Sequence, residues 1–334
     1  MKASVIGGGS WGSAMALHLG RLDIKTKLWI REKDVYENTL RYRQNKTFLP
    51  GSVFPPSVSF YNNLKETIVD TNFLFIAIPS KYCHSVYKLL APLLSPRQII
   101  INLTKGIEKN SLKCMSKLME EIFSSNFIPK IATLSGPSFA REVAESLPTA
   151  VVIASKDLKT AKLIQQNVSN EYFRAYTTDD VTGVEIAGAL KNIIAISAGI
   201  CDGLEFGSNS KAALITRGIA EISRLGVKLG ARQETFSGLA GIGDLVLTCT
   251  GKLSRNRYVG FELGKGRSLD EIVSKMNMVA EGVTTTLSAH HLSKRENIEM
   301  PICEQVYQIL YKNKDPRTAL QDLMTRKLKH ENIS

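Results

Sequence analysis

Residues 2–16, KASVIGGGSWGSAMA, decide the fold. A short apolar run, Ala3–Ile6, leads into glycines 7, 9 and 12, spaced as G-x-G-x-x-G. A helical pattern follows over Ser13–Leu22, apolar at Met15, Leu17, Leu19 and Leu22. The glycine spacing alone is a weak signal. A strand before it and a helix after it make it the phosphate loop of a dinucleotide-binding unit. In that reading Gly7 permits the tight turn, Gly9 lets the backbone approach a pyrophosphate, and Gly12 lets helix and strand pack closely. The helix start then offers unpaired N–H groups and a positive dipole end to the phosphates.

Working outward, strand and helix patterns alternate. Thr26–Ile30 reads as a second strand, with a helical stretch from Asp34 and a loop at Pro50-Gly51 and Pro55-Pro56. The unbroken apolar run Phe73–Ile78 reads as a buried parallel strand. A helix over Ser85–Leu94, a strand over Gln98–Asn102, a helix over Leu112–Phe123 and strands at Ile131–Leu134 and Ala150–Ala154 follow. This alternation predicts a doubly wound α/β sheet of Rossmann type. From Val184 onward helical patterns dominate, over Val184–Cys201, Lys211–Leu229, Arg255–Leu263, Leu269–Met276, Val283–Arg295 and Pro301–Leu310. Two domains are therefore expected: a dinucleotide-binding domain over 1–180 and an all-α domain for substrate binding and catalysis over 181–334.

The bulk properties narrow the function classes. The 334 residues are enough for two cores. No apolar run reaches the ~18–20 residues that a membrane span needs, so no integral membrane segment is expected. Lys2 mimics the start of a secretory signal, but the glycines and Trp11 interrupt any apolar stretch, and a cytoplasmic protein is expected. The five cysteines, 83, 114, 201, 249 and 303, form no C-x-x-C pair, and the five histidines have no metal-ligand spacing, so neither a disulfide framework nor a metal site is expected. The net charge is +12, from 43 basic and 31 acidic residues. Without a nucleic-acid motif, that charge fits a field that gathers small anionic substrates. The basic C-terminal residues Lys312, Lys314, Arg317, Arg326, Lys327 and Lys329 read as a solvated helix face.

Several motifs can carry chemistry. Arg31 ends the second strand, where an acidic residue often meets the adenosine ribose; an Arg there accommodates a 2′-phosphate or stacks on adenine. Glu32 follows and can serve the ribose, so NADPH is favoured and NADH remains open. Lys105, in Thr104-Lys105-Gly106 after the Gln98–Asn102 strand, can reach a phosphate or a reacting oxygen, or be merely solvated. Ser135–Ala140 is a small-residue loop that can bind an anion, or an ordinary turn. Lys191 stands in an apolar helix, where burial would lower its pKa and suit it to acid–base work unless it snorkels at the rim. Asp244 closes the glycine-rich stretch Gly238–Asp244 and can hold a substrate hydroxyl or a lysine. Ser254-Arg255-Asn256-Arg257 joins a helix start to basic groups, which suits a phosphate monoester.

Together GGGSWG (7–12), AIPS (77–80), TKG (104–106), SGPSFA (135–140), ALKN (189–192), GLAGIGDLVLTC (238–249), SRNR (254–257) and VAEGVTT (279–285) resemble the bacterial NAD(P)-dependent glycerol-3-phosphate dehydrogenases. The resemblance runs in order from residue 4 to about 310. It implies reduction of dihydroxyacetone phosphate to sn-glycerol 3-phosphate, the backbone of phospholipids. It implies Ser10, Trp11, Arg31, Lys105, Ala140, Arg255, Val279 and Glu281 at the cofactor beside the glycines. It places Lys105, Gly136, Ser138, Lys191, Asp244, Thr248, Ser254, Arg255 and Asn256 at the substrate. Lys191 matches the family's proton donor and acceptor, Lys105 and Asp244 stand beside it in catalysis, and no metal is implied. Gly8, where the family often has Ala, and Lys81 after the IPS motif are minor departures.

Two other readings compete. A 3-hydroxyacid or phosphogluconate-type dehydrogenase shares the two-domain plan and a lysine; the Asp244 loop and the 254–257 cluster argue against it. A nucleotide-sensing or nucleic-acid-binding protein rests on net charge alone. A helical second domain with apolar faces makes a homodimer the expected assembly.

Overall fold

The polypeptide of the computed structural model is described for residues 1–124, 127–276, 278–328 and 330–331. It divides into two compact units, one formed by Met1–Thr104 and Met115–Val181, the other by Lys105–Cys114 and Thr182–Ser334.

The first unit runs β1 (Lys2–Ile6), α1 (Ser10–Arg21), β2 (Lys25–Trp29), α2 (Lys33–Tyr42), β3 (Val58–Tyr61), α3 (Leu64–Ile68), β4 (Phe73–Ile76), α4 (Ser80–Leu90) and β5 (Ile99–Asn102). It continues with α5 (Met115–Phe123), β6 (Lys130–Ser135), α6 (Ala140–Ala144), β7 (Thr149–Ala154), α7 (Leu158–Val168) and β8 (Phe173–Thr178). The eight strands make one sheet in the order β3-β2-β1-β4-β5-β6-β7-β8, parallel except between β6 and β7. The chain winds outward from β1 to β3 and then returns to place β4 on the other side of β1. Ligands bind at such a switch point, outside the carboxyl ends of the strands. The register brings those ends level, with Ile6 beside both Trp29 and Ile76, and Ile76 beside Asn102.

Both faces of this sheet are covered, which explains the unbroken apolar runs. In β4, Phe73 and Phe75 join one buried cluster and Leu74 and Ile76 the other; in β5, Ile99 and Ile101 part from Ile100 in the same way. A side-chain period of two sends alternate residues to opposite faces, so a strand buried on both sides has no polar positions to show.

The elements differ from expectation at the edges. β3 and β8 were not expected as strands; both are sheet-edge strands of mixed polarity, defined by pairing with β2 and β7. The first helix starts at Ser10 rather than Ser13, and the helix expected over Ser85–Leu94 spans Ser80–Leu90, because Pro79 with extended backbone sets its start.

The second unit is built from α8 (Val181–Gly203), α9 (Gly207–Lys228), α10 (Asp244–Thr250), α11 (Arg255–Gly264), α12 (Leu269–Ser274), α13 (Glu281–Glu296), α14 (Pro301–Lys312) and α15 (Pro316–Met324). Helix α8 is its spine. Ile186, Leu190, Ile193, Ile194, Ile196 and Ile200 enter one core with Leu225, Phe236, Leu245, Val259, Leu292 and Val306. The expectation that no apolar stretch reaches membrane-span length is corrected here: α8 contains an 18-residue window of mean hydropathy 1.5. That window is 94% buried, so the apolar surface serves the protein core.

Glycines let α11 lie directly on α8. A Cβ on Gly199 would stand 2.0 Å from the carbonyl oxygen of Arg257, and one on Gly260 would stand 1.9 Å from that of Ile196. The two backbones therefore touch along a seam that no larger residue fits. In the basic C-terminal stretch, Lys314 pairs with Asp322 and Arg326 with Glu299, while Lys329 lies outside the described residues.

Candidate functional site

The first unit assembles the loop that the glycine spacing predicts. Gly7 has φ +121°, and a Cβ there would stand 2.4 Å from the Ala77 carbonyl oxygen at the end of β4. A side chain at 12 would collide with the Gly7 carbonyl at 1.9 Å, whereas Gly9 faces open space. Helix α1 then begins with no side-chain cap and no acidic residue in its first turn, so Ser10, Trp11 and Gly12 stand where an anion would complete the helix. The indole Nε1 of Trp11 is buried without a hydrogen-bond partner. Open space at Gly9, an uncapped helix start and an orphaned donor beside it fit a dinucleotide's pyrophosphate.

Arg31 follows β2 and is exposed. Its Nε and Nη2 donate to Oε1 of Glu32, at 3.0 and 2.6 Å. Gly136 closes β6 with φ +128°, and Ser138 donates to its carbonyl at 3.0 Å. Ala140 opens α6 and packs on the sheet core.

The second unit gathers Lys105, Lys191, Asp244 and Thr248. Lys191 lies mid-way along α8 and Asp244 is the first residue of α10. Lys191 Nζ donates to Asp244 Oδ1 at 2.5 Å and to Thr248 Oγ1 at 2.7 Å. Lys105 Nζ donates to Asp244 Oδ2 at 2.7 Å. Thr248, one turn beyond Asp244, donates its hydroxyl proton to the Asp244 carbonyl at 2.6 Å, which aims its oxygen lone pairs at Lys191. The segment that carries Lys105 is closed by Glu108, which accepts from the amides of Asn110 and Ser111. Ser288 on α13 donates to the Ile107 carbonyl at 3.3 Å and holds the same segment to the helical core.

Electrostatics follow from this arrangement. Asp244 and Lys191 are 1% and 6% exposed. Burial pulls Lys191 down to about 8; Lys105 pushes the same way and Asp244 opposes. For Asp244, burial favours the neutral acid, but Lys105 and Lys191 outweigh it and hold the carboxyl below its usual range. Two lysines on one carboxylate leave one positive charge in excess when all are ionised. Such a cluster can give a proton to, and stabilise, an oxygen that becomes negative.

On α11, Ser254 is the N-cap and accepts from the Arg257 amide at 3.2 Å. Arg255 is exposed at the first helical position. Asn256 is engaged in the scaffold: Nδ2 donates to Asn192 Oδ1 at 2.9 Å, and Oδ1 accepts from the Gly282 amide at 2.9 Å. It thus ties α8, α11 and the start of α13 together, with one Nδ2 hydrogen remaining. Val279 and Glu281 are half-buried at that α13 start. The chain therefore collects Gly7, Gly9, Ser10, Trp11, Gly12, Arg31, Gly136, Ser138 and Ala140 in the first unit. Lys105, Lys191, Asp244, Thr248, Ser254, Arg255, Asn256, Val279 and Glu281 belong to the second.

Two positioning residues escaped the sequence reading. Asn45 is fully buried and donates through Nδ2 to the Gly8 carbonyl at 2.7 Å and to Ser13 Oγ at 2.9 Å, bracing the glycine loop. Asp202 takes both Lys211 and Arg257, which commits Arg257 to the core of the second unit. Asn45 lies between the end of α2 and the Pro50-Gly51 loop, where no motif in the sequence marks it.

Comparison with known proteins identifies the family. The family described as NAD-dependent glycerol-3-phosphate dehydrogenase, N-terminus, matches residues 2–161, and its C-terminal counterpart matches residues 180–321. A glycerol-3-phosphate dehydrogenase [NAD(P)+] of Syntrophobacter fumaroxidans is 49% identical over 327 residues, 98% of this chain and 96% of that one. One of Geobacter sulfurreducens is 49% identical over 330 residues, 99% of this chain and 98% of that one. The crystal structure of glycerol-3-phosphate dehydrogenase from Coxiella burnetii superposes with a TM-score of 0.94 at 40% identity, covering 97% of this chain and 99% of that one.

Proposed function

This chain belongs to the NAD-dependent glycerol-3-phosphate dehydrogenase family, and from that membership we propose how its own residues reduce dihydroxyacetone phosphate to sn-glycerol 3-phosphate with NADPH or NADH. The observation that carries the proposal is the Asp244 carboxylate shared by Lys191 and Lys105.

When bound, the nicotinamide supplies the hydride that reduces the C2 carbonyl carbon. Lys191 gives its proton to the carbonyl oxygen as that oxygen becomes an alkoxide. Two of its three N–H groups are held by Asp244 and Thr248, and the third serves the substrate. Lys105 adds positive charge where negative charge develops, in a site already organised for it. Asp244 keeps the lysines oriented through two short contacts. In the reverse reaction the neutral Lys191 amine takes the hydroxyl proton.

Arg255 and the first turn of α11 grip the phosphate, while Ser254 and Asn256 hold that turn in place. Gly136 and Ser138 line the substrate. The glycine loop, Ser10, Trp11, Arg31, Ala140, Val279 and Glu281 serve the cofactor, with Lys105 and Arg255 at both ligands. In this reading residues 1–180 form the cofactor domain and 181–334 the substrate domain, with the excursion 105–114 working alongside the latter. Arg31 favours NADPH over NADH. A homodimer in the cytoplasm is the setting we propose: the five cysteine thiols are all buried and suit a reducing compartment.

The test is loss of NADPH absorbance by purified protein with and without dihydroxyacetone phosphate, repeated with NADH. Substrate-dependent oxidation supports the proposal. Oxidation that instead follows a 3-oxoacid, the oxidised partner of a 3-hydroxyacid, overturns it.

A further inference from the structure

Tyr82, in the first turn of α4, has cations from two strand ends against one ring. The Arg31 guanidinium carbon lies 4.9 Å from the ring centroid, and the Lys81 Nζ lies 4.8 Å from the same point. Arg31 follows β2 and Lys81 follows β4, the strands that flank β1 at the switch point. Asn62 fixes the backbone beneath Arg31, donating from Nδ2 to the carbonyls of Ile30 and Arg31 at 2.6 and 2.9 Å.

The two cations are not equivalent. Arg31 is bound through Nε and Nη2 to the Glu32 carboxylate, which offsets its charge. Lys81 is exposed, and no ion pair engages it among the described residues. The adenosine end of a dinucleotide reaches this edge of the sheet, where a β2-end Arg accommodates a 2′-phosphate. NADP differs from NAD there by one phosphate ester, a group of about −2 charge. A guanidinium already paired with a carboxylate meets that charge weakly. An ammonium on a flexible four-carbon stem meets it without first losing a partner.

We propose that Lys81, held beside Arg31 by the Tyr82 ring, is the second cation that recognises the 2′-phosphate of NADP and that it sets, together with Arg31, the chain's preference between the two cofactors. The inference rests on the proposed dinucleotide role of the first unit and on no step of the chemistry.

The experiment is a calorimetric titration of the full-length protein with 2′,5′-ADP and with 5′-ADP, for wild type, Lys81→Gln and Lys81→Arg. Lys81→Gln should weaken 2′,5′-ADP about tenfold, the worth of one charge-assisted contact, and leave 5′-ADP within about twofold. Lys81→Arg should restore the preference. Equal change in both ligands, or none in either, overturns the assignment. A wild type that binds neither nucleotide overturns the dinucleotide reading as well; one that binds both, with a preference Lys81→Gln leaves unchanged, sinks the Lys81 assignment alone. Lys81 is a surface residue, so failure to fold is not an expected outcome.

Discussion

Lys191 Nζ and Asp244 Oδ1 lie 2.5 Å apart, on helices α8 and α10, with both side chains less than a tenth exposed. The second oxygen of the same carboxylate holds Lys105 at 2.7 Å. Under the proposed mechanism this arrangement ties the rate of the reaction to the protonation of one buried amine.

Burial, aided by Lys105 and opposed by Asp244, brings Lys191 to about 8. In the proposed mechanism ketone reduction uses the protonated amine and alcohol oxidation the neutral one. With saturating substrates, kcat for reduction should therefore fall as pH rises through about 8, and kcat for oxidation should rise through the same point. Profiles in the two directions that move together, or stay flat between about pH 6 and pH 10, would argue against Lys191 as the group that exchanges the proton.

Lys191→Met keeps the length and apolar character of the stem and removes the donor. It should lower kcat by about 10²- to 10⁴-fold, the usual worth of a placed acid or base. NADPH affinity, measured by fluorescence titration, should remain unchanged. A variant that turns over within about tenfold of wild type would transfer the role to Lys105.

Asp244→Asn preserves shape and removes the carboxylate that Lys105 and Lys191 share. The two lysines then repel each other without that carboxylate between them. Removing one partner of a buried ionic group costs about 3–5 kcal/mol, which denaturant unfolding will show. Lys191 also loses the charge that raises its pKa, so the reduction profile should shift to lower pH. A stable variant with an unshifted profile would mean that Asp244 does not control Lys191.

Asn45→Ala takes the shorter of two donors from the buried Gly8 carbonyl and leaves it the Ser13 hydroxyl at 3.3 Å. The loss of such a buried hydrogen bond costs about 0.5–1.5 kcal/mol. It should fall on the phosphate loop, weakening NADPH and NADH by the same factor while leaving the KM for dihydroxyacetone phosphate unchanged. Unequal loss for the two cofactors would place Asn45 at the ribose instead.

Glu221 of α9 is 2% exposed and accepts from the Ile302 and Cys303 amides at the start of α14. Burial pushes it up to about 7 against the opposing pull of those amides. Between pH 4.5 and about 7 the folded carboxyl keeps a proton that the unfolded chain has lost. Its contribution to stability is thus full below pH 4.5 and declines as pH rises toward 7. Tm scans of wild type and Glu221→Gln should diverge progressively across that window, with wild type losing ground. A constant gap between the two curves would show that Glu221 does not titrate there.

The centre of the fold was legible because its signals are local. Lys2–Ile6, the glycines and α1 are contiguous, and β4 and β5 are apolar throughout because both faces of the sheet are covered. The edge strands were not legible. Val58–Tyr61 and Phe173–Thr178 mix polar and apolar residues, and their conformation comes from pairing with neighbours distant in sequence. The same division holds at the site. Lys191 stood out as a charge in an apolar helix, and Asp244 as an acid after glycines. That one carboxylate serves two lysines, 53 and 139 residues away in sequence, is a tertiary fact. Asn256 read as a phosphate ligand because it lies in a basic cluster, yet its amide mostly joins three helices. The excursion 105–114 into the helical unit left no mark, since a loop after a strand carries no sign of which core will receive it.

The glycine seam between α8 and α11 has a bearing on precision. Side chains that set a spacing through rotamers leave room for breathing and drift. Here the Ile196 carbonyl meets Gly260, and the Arg257 carbonyl meets Gly199, at backbone contact. The separation between Lys191 on α8 and the Arg255–Asn256 turn on α11 is thereby gauged by the radii of main-chain atoms, the least deformable ruler a protein has. A single methyl group at either glycine would meet a carbonyl oxygen of the facing helix and push the Arg255–Asn256 turn away from Lys191, leaving each helix intact but out of register with the other.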